Sequence, residues 1–488
     1  MVIDSVKPRS LVLLYSTVLL FGIAGTIAFI LGYPVFLALP VLALVIISGI
    51  YRLENLMYFA VLITPLSINL AKTSLGIGVS LPSEPLMFGI MLLFFFHLFT
   101  GNDIDKKILI HPVSIVILIH LSWMLVTTIT STMFIVSFKA TLAQICYITV
   151  FFYLAAHSFR NPLNIRKFVW LYMIPLSLVI VYTTLNHAAA GFTEKAAHTS
   201  MVPFYNDHTA YAAAIAMYIP VVFGFLDDKG SRKLVRVTAV FFLILFLVAI
   251  VLSYTRASWL SLVAALVCYF IFLLRIRTWF VISGILGVIV LYLSFQTRIK
   301  MELEQTDEQS STDYTSHVES MSNISTDASN VERLNRWACA FRMFNEKPIT
   351  GWGPGTYMFQ YGPFQKSSEK TIISTNFGEA GNAHSEYFGP LAEQGLPGSV
   401  FFILIGVVVI WRASRIIIYS SDKNVRMLTK AFLLGLVTYW VHGMMNNFLD
   451  TEKASVPFWG FIAAIVAIDL YHFRSSANGK ITDATSTV

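Results

Sequence analysis

Apolar residues run through this chain in long blocks separated by short polar stretches. Phe241–Leu252 and Val400–Trp411 are typical, and several blocks reach spanning length. A helix of about 20 apolar residues crosses the hydrocarbon of a bilayer. Transmembrane strands would show short alternating segments instead. The pattern predicts spans near 10–31, 34–50, 55–71, 85–100, 108–130, 139–158, 167–187, 205–226, 234–254, 257–275, 278–295, 390–411, 427–447 and 456–473. The third and fourth are short, and pairing of short segments lowers the count of about 14 to about 12. Lys7 and Arg9 precede an apolar run, Leu11–Leu31, that is too long for a signal-peptide core and has no clear small-residue cleavage site. It reads as a retained first helix.

One long polar stretch, Gln296 to Ala383, interrupts the pattern. Its first part, Gln305–Asn330, is rich in Ser, Thr, Asp and Glu and reads as a flexible, solvated tether. Ser329 and Glu332 then stand at capping-box spacing, and a helix is predicted over Val331–Asn345, closed by Pro348. Arg333, Trp337, Phe341 and Phe344 recur at spacings of four, four and three, so they share one face of that amphipathic helix.

Composition confirms the medium. Of 488 residues 56% are hydrophobic and 12% charged, against roughly a quarter charged in soluble domains. A net charge of +7 would hint at nucleic acid in a soluble protein. Here Lys and Arg sit in short loops and report topology instead. Of the 34, 21 fall on one side of the predicted spans, 5 in short loops on the other and 8 in the large loop. Short cytoplasmic loops hold the excess of basic residues, so both termini are expected inside and the large loop outside. Cys146, Cys268 and Cys339 offer no disulfide framework: two lie in predicted spans and the third in the loop.

The polar residues that stand out gather at the outer face. Arg256 lies in Ser253-Tyr-Thr-Arg-Ala-Ser-Trp259, at the outer junction of two spans. It is either an arginine snorkelling to the interface or a fork for an anionic ligand. Arg333 and Arg336 lie on the loop helix, where a solvated basic face is the competing reading. Gly351-Trp-Gly-Pro-Gly355 lacks the Lys-Ser/Thr of a nucleotide loop and reads as a tight turn, with Trp352 available to pack on sugar or lipid. His384 sits where the loop re-enters the membrane and is the side chain best suited to take a proton near neutral pH. Glu386 and Glu393 are placed to orient it, or one of them to cap a helix. His442, Asn446 and Asp450 recur every four residues, one face of the thirteenth span, and Asp207 and His208 open the eighth on the same side. There is neither a zinc signature nor an aspartate-rich metal pair, and the cytoplasmic loops are too short for a nucleotide-binding domain.

At these residues the chain resembles the O-antigen ligase and polymerase superfamily, over roughly Phe204–Asp450. The motifs are Ser253–Trp259 with Arg256, Arg333-Leu-Asn-Arg-Trp337 through Pro348 to Gly351–Gly355, and Ala383–Tyr387 through Glu393-Gln-Gly-Leu-Pro-Gly398. The resemblance implies an all-α polytopic membrane protein of about 12–14 transmembrane helices with one large periplasmic loop containing amphipathic helices. In that frame residues 1–203 are N-terminal helices and 204–295 core helices with the Arg256 motif. Residues 296–383 are the loop, 384–474 the C-terminal helices and 475–488 a cytoplasmic tail. It also implies an inverting glycosyltransferase of the GT-C type, without metal or cofactor, in the bacterial inner membrane. The donor would be a polyprenyl diphosphate-linked glycan at the periplasmic face. Arg256 and Arg333, with Arg336 matched less securely, would bind the donor diphosphate; His384 would activate or position the acceptor hydroxyl. The supporting group would be Glu386, Glu393, His442, Asn446, Asp450, Asp207 and His208. The acceptor is lipid A-core in a ligase, the favoured reading, and another lipid-linked glycan in a polymerase; related members glycosylate proteins. A lipid-linked oligosaccharide transporter is the alternative of another class, and it is disfavoured by the one-sided loop and the absence of an internal repeat. No partner is implied beyond these lipid-linked glycans and membrane lipids: no nucleic acid, and no particular oligomeric state.

Overall fold

A computed structural model describes residues 52–69, 80–101, 105–227, 233–276, 328–367 and 381–473. The predicted spans 10–31, 34–50 and 278–295, and the tether up to residue 327, lie outside the described residues. The chain is an all-α polytopic membrane protein. In order, its helices are α1 (52–63), α2 (Ser83–Phe99), α3 (Pro112–Ile129), α4 (Phe134–Ser158), α5 (Pro162–Ala189) and α6 (His208–Asp227). They continue with α7 (Lys233–Leu252), α8 (Arg256–Leu273), α9 (Ala328–Glu346), α10 (Phe388–Tyr419), α11 (Lys423–His442) and α12 (Glu452–His472). Among the described residues eight helices are long and apolar enough to cross a membrane: α3 to α8, α10 and α12.

Local signals set the boundaries. Pro112 and Pro162 occupy first helical positions, where no intrahelical N–H partner is lost. Asn161 and Asp422 cap α5 and α11 by accepting from Leu163 N at 3.1 Å and Asn424 N at 2.7 Å. The span predicted over 55–71 is interrupted. Helix α1 gives way to a 3₁₀ turn, Thr64–Leu66, and Ile68–Asn69 then pairs antiparallel with Ser80–Leu81. Pro65 has no N–H to continue the helix.

Burial separates the core of the bundle from its lipid-facing rim. Of the apolar stretch of α12, 83% is buried, against 28% in α7 and 22% in α8. Those two expose Phe241, Ile244, Val251, Val263 and Phe270, the surface lipid requires. Helix α11 carries Lys423, Arg426 and Lys430, yet Phe432, Leu433 and Leu436 are almost fully buried. It is packed among α6, α8, α10 and α12, and protein neighbours, not lipid, cover most of it.

The feature that positions the site is a break in α10. Gly395 has φ 68° and ψ −170°, and Pro397 follows two residues later. The break frees carbonyls that an unbroken helix would satisfy. Ala392 O accepts from Trp352 N at 3.1 Å, Glu393 O from Gly353 N at 2.7 Å, and Gln394 O from Trp123 Nε1 at 2.8 Å. Leu396 N donates to Pro348 O at 2.9 Å. The Gly351–Gly355 turn is therefore wedged into the break. Gly351 and Gly353 have φ of 64° and 112°, and a Cβ would overlap the Glu393–Gln394 backbone at the first and Ser131 at the second. Trp352 is half-buried and partly engaged: its ring packs on Phe364 and under Lys347, and its Nε1 donates to Met343 O at 3.0 Å.

The candidate active site at one end of the bundle

The segment from Ser253 to Trp259 closes the turn between α7 and α8. Ser253 Oγ donates to Ile250 O at 2.7 Å, Thr255 Oγ1 to Ser253 O at 3.1 Å, and Trp259 Nε1 to Ile250 O at 3.1 Å. Tyr254, at φ 50°, reaches Phe192 O with its hydroxyl at 3.2 Å. With these side chains folded inwards, Arg256 opens α8 with an exposed side chain. A cation at a helix N-terminus opposes the helix dipole by about 0.3–1 kcal/mol. Helix end and guanidinium thus bring two positive poles together.

Two residues on, Ser258 Oγ lies 3.3 Å from His442 Nδ1. Asn446 Nδ2 lies 3.2 Å from the other ring nitrogen. Donation from the amide makes Nε2 the acceptor and leaves Nδ1–H to donate to Ser258. His442 is fully buried with both nitrogens used. The expectation that His442, Asn446 and Asp450 share one helix face is corrected: α11 ends at His442, and Asn446 and Asp450 lie in the following turn. Gly443 begins that turn, and Glu386 Oε1 holds it by accepting from Phe448 N at 2.7 Å, Leu449 N at 2.9 Å and Tyr439 OH at 2.6 Å. Burial raises the pKa of Glu386, and these donors oppose the shift.

His384 stands in a strained backbone, φ 48°. Its N–H donates to Asn382 Oδ1 at 3.1 Å, and its carbonyl accepts from Trp337 Nε1 at 3.4 Å. Trp337 and Phe341 pack on Phe388 at 5.2 and 5.0 Å, so the shared face predicted for α9 is the face that docks on α10. The imidazole is half-buried and has no hydrogen-bond partner among the described residues. Burial first, then the charges of Arg333 and Arg336, push its pKa down to about 4, with Asp207 pulling the other way. It is therefore neutral at pH 7.

Asp207 and Arg333 act electrostatically on both His384 and His442. The starts of α6 and α8, the end of α11, the loop helix and the His384 segment thus meet at one end of the bundle. Asp207 pairs with His208 at 3.3 Å and accepts from Thr209 N at 2.7 Å. Burial alone would raise its pKa; these partners hold it at about 2. His208 stacks on His198 at 4.2 Å.

The predicted residues divide by environment. Arg333 is half-buried beside His384, whereas Arg336 is 3% exposed. Arg336 Nε donates to Glu332 Oε1 at 2.6 Å, and its guanidinium lies 4.1 Å from the centre of the Tyr361 ring. Glu332 is thus spent on Arg336, where a capping box with Ser329 was expected, and the helix already begins at Ala328 within the predicted tether. Glu393 caps the short helix Tyr357–Gln360, its two oxygens accepting from Gly355 N and Tyr357 N, each at 2.9 Å. Neither Glu386 nor Glu393 hydrogen-bonds His384. Ser258 and Trp337 were not singled out for these contacts, although both lie inside quoted motifs.

Fold and site define a multi-pass membrane protein with Arg256, Arg333 and a neutral His384 at one end of the helix bundle. A family model described as O-antigen ligase matches residues 240–403, from α7 through Arg256, Arg333 and His384 into α10. That match supports placing the chain in the O-antigen ligase and polymerase superfamily, whose members are enzymes of the glycosyltransferase type. No curated protein matches the chain.

Proposed function

We propose that the protein is an inverting, metal-independent glycosyltransferase working at the periplasmic face of the bacterial inner membrane, with both termini in the cytoplasm. It transfers a glycan from a polyprenyl diphosphate donor to lipid A-core, as an O-antigen ligase in lipopolysaccharide biosynthesis. The observation that carries this reading is the juxtaposition of Arg333 with a neutral, uncommitted His384. The acceptor oxygen attacks the anomeric carbon opposite the leaving diphosphate, which departs with the bonding electron pair. Arg256 and Arg333 take up the charge growing on it. His384 accepts the hydroxyl proton or aligns that hydroxyl. His442 is unsuited to that task because both of its nitrogens are engaged. The enclosure of Arg336 by Glu332 and Tyr361 favours a role in holding the loop.

The test supplies purified protein with a polyprenyl diphosphate oligosaccharide and alternative acceptors. Transfer to lipid A-core, persisting in excess chelator, is expected. Extension of the lipid-linked chain instead would make the protein a polymerase. Movement of donor without bond formation would make it a transporter and sink the enzyme reading. Arg256→Ala and His384→Ala are each expected to abolish transfer in folded protein, and full activity in both would remove this site from consideration.

A further inference from the structure

The residues flanking His384, namely Asn382, Ala383, Ser385 and Glu386, form one wall of a cavity of about 180 Å³. The opposite wall comes from α3 and α4, and Pro354 and Gly355 of the interlocked turn close one side. The lining contains Glu386, Glu393 and Asp450 and no lysine, arginine or histidine. A diphosphate has no counter-charge here, so the donor's anionic group belongs elsewhere.

The polar groups divide into those already used and those left over. Glu386 and Glu393 are spent on backbone N–H groups. Gln144 donates to Leu449 O at 2.7 Å, which leaves its carbonyl oxygen. Gln394 is 5% exposed, and its side-chain oxygen has no hydrogen-bond partner. Asn447 Oδ1 is likewise buried without one. The Asp450 carboxylate bonds to no other described residue, lines the cavity and is exposed to solvent. Met124, Ala140, Ala143, Met358 and Pro390 supply an apolar side to the same space.

Buried polar atoms without partners are costly, at about 1–3 kcal/mol each, and binding sites keep a few of them for an incoming ligand. A sugar ring matches this lining: hydroxyls around its rim, an apolar face, and no negative charge. We propose that the cavity seats one pyranose ring of the glycan acceptor, held by Asp450, Gln394 and Asn447, with the attacking hydroxyl delivered beside His384. The word acceptor rests on the glycosyl-transfer reading; the saccharide site does not.

The test separates the two. Full-length protein in nanodiscs is probed by saturation-transfer NMR with free glucose, N-acetylglucosamine and glucosamine, alongside the transfer assay. Wild-type protein should bind at least one probe, and Asp450→Asn should lose that signal. Ala143→Phe, which puts a ring into the cavity and replaces none of its polar side chains, should lose it too. Loss of a hydrogen bond to a charged group corresponds to a rise in acceptor KM of about tenfold or more, with donor KM unchanged. Binding that survives both variants, or transfer that runs while no probe binds, overturns the cavity assignment and leaves the transferase standing. Asp450-dependent binding without any transfer does the reverse.

Discussion

The chemistry at His384 turns on the charge around it. With Arg333 and Arg336 nearby and little water, the imidazole is neutral down to about pH 4 in the free protein. A neighbouring cation disfavours the protonated form, so Arg333→Gln should move the midpoint upwards, towards the ordinary histidine value. A bound diphosphate should do the same by offsetting the guanidinium. The free enzyme then holds a poor base, and donor binding makes it a better one. The pH dependence of carbethoxylation at His384 reads this directly, and an unmoved midpoint in Arg333→Gln would refute it. His384→Gln distinguishes the two tasks of the residue. A general base contributes about 10²–10⁴-fold, so loss on that scale marks proton transfer, whereas substantial retained activity marks positioning.

At the scale of elements, stability of the site depends on the join between the glycine turn and broken α10. Gly353→Ala would place a methyl group in Ser131 at a backbone φ of 112°. Overpacking costs about 1–3 kcal/mol, and the left-handed backbone adds to it. A lowered midpoint of thermal unfolding in detergent, with transfer lost in parallel, is expected. Trp123→Phe removes one donor to the break and should cost about 1 kcal/mol. An unchanged midpoint in both would mean the join contributes little. The sequence made much of this legible. The apolar period located most of the spans, and the spacing of Arg333, Trp337 and Phe341 named the face by which α9 docks. It misread His442, Asn446 and Asp450, because a spacing of four looks the same whether or not the helix continues past Gly443. The helix cap expected of Glu386 or Glu393 is made by Glu393, but how Glu332 and Glu386 are spent was missed. Their partners are backbone N–H groups and an arginine brought close only by folding, and spacing carries no trace of such contacts. Trp123, 271 positions from Gln394, is beyond any local signal.

For the whole molecule, the burial gradient from α12 to α8 orders the bundle about a central helix, and the uneven distribution of Lys and Arg predicts its orientation. In a background without native cysteines, Glu194→Cys, exposed at the start of the short helix Glu194–Ala197, should react with a membrane-impermeant maleimide in intact spheroplasts. Asn424→Cys, exposed at the start of α11, should react only after permeabilisation. The opposite pattern would invert the topology and put the arginines on the wrong face for a periplasmic donor.

The break at Gly395 also limits how such a protein is assembled from parts. The turn at Gly351–Gly355 supplies hydrogen bonds to α10, and Trp123 of α3 supplies another. The segment carrying α9 and the glycine turn is thus not a cassette that can be exchanged between relatives by cutting at its ends. A hybrid carrying only residues 328–383 from a homologue would pair one parent's turn with the other's notch. Exchange should succeed when Trp123, Ser131 and the stretch from Pro390 to Gly398 travel with the loop, so substrate range would be inherited in a unit larger than the loop itself.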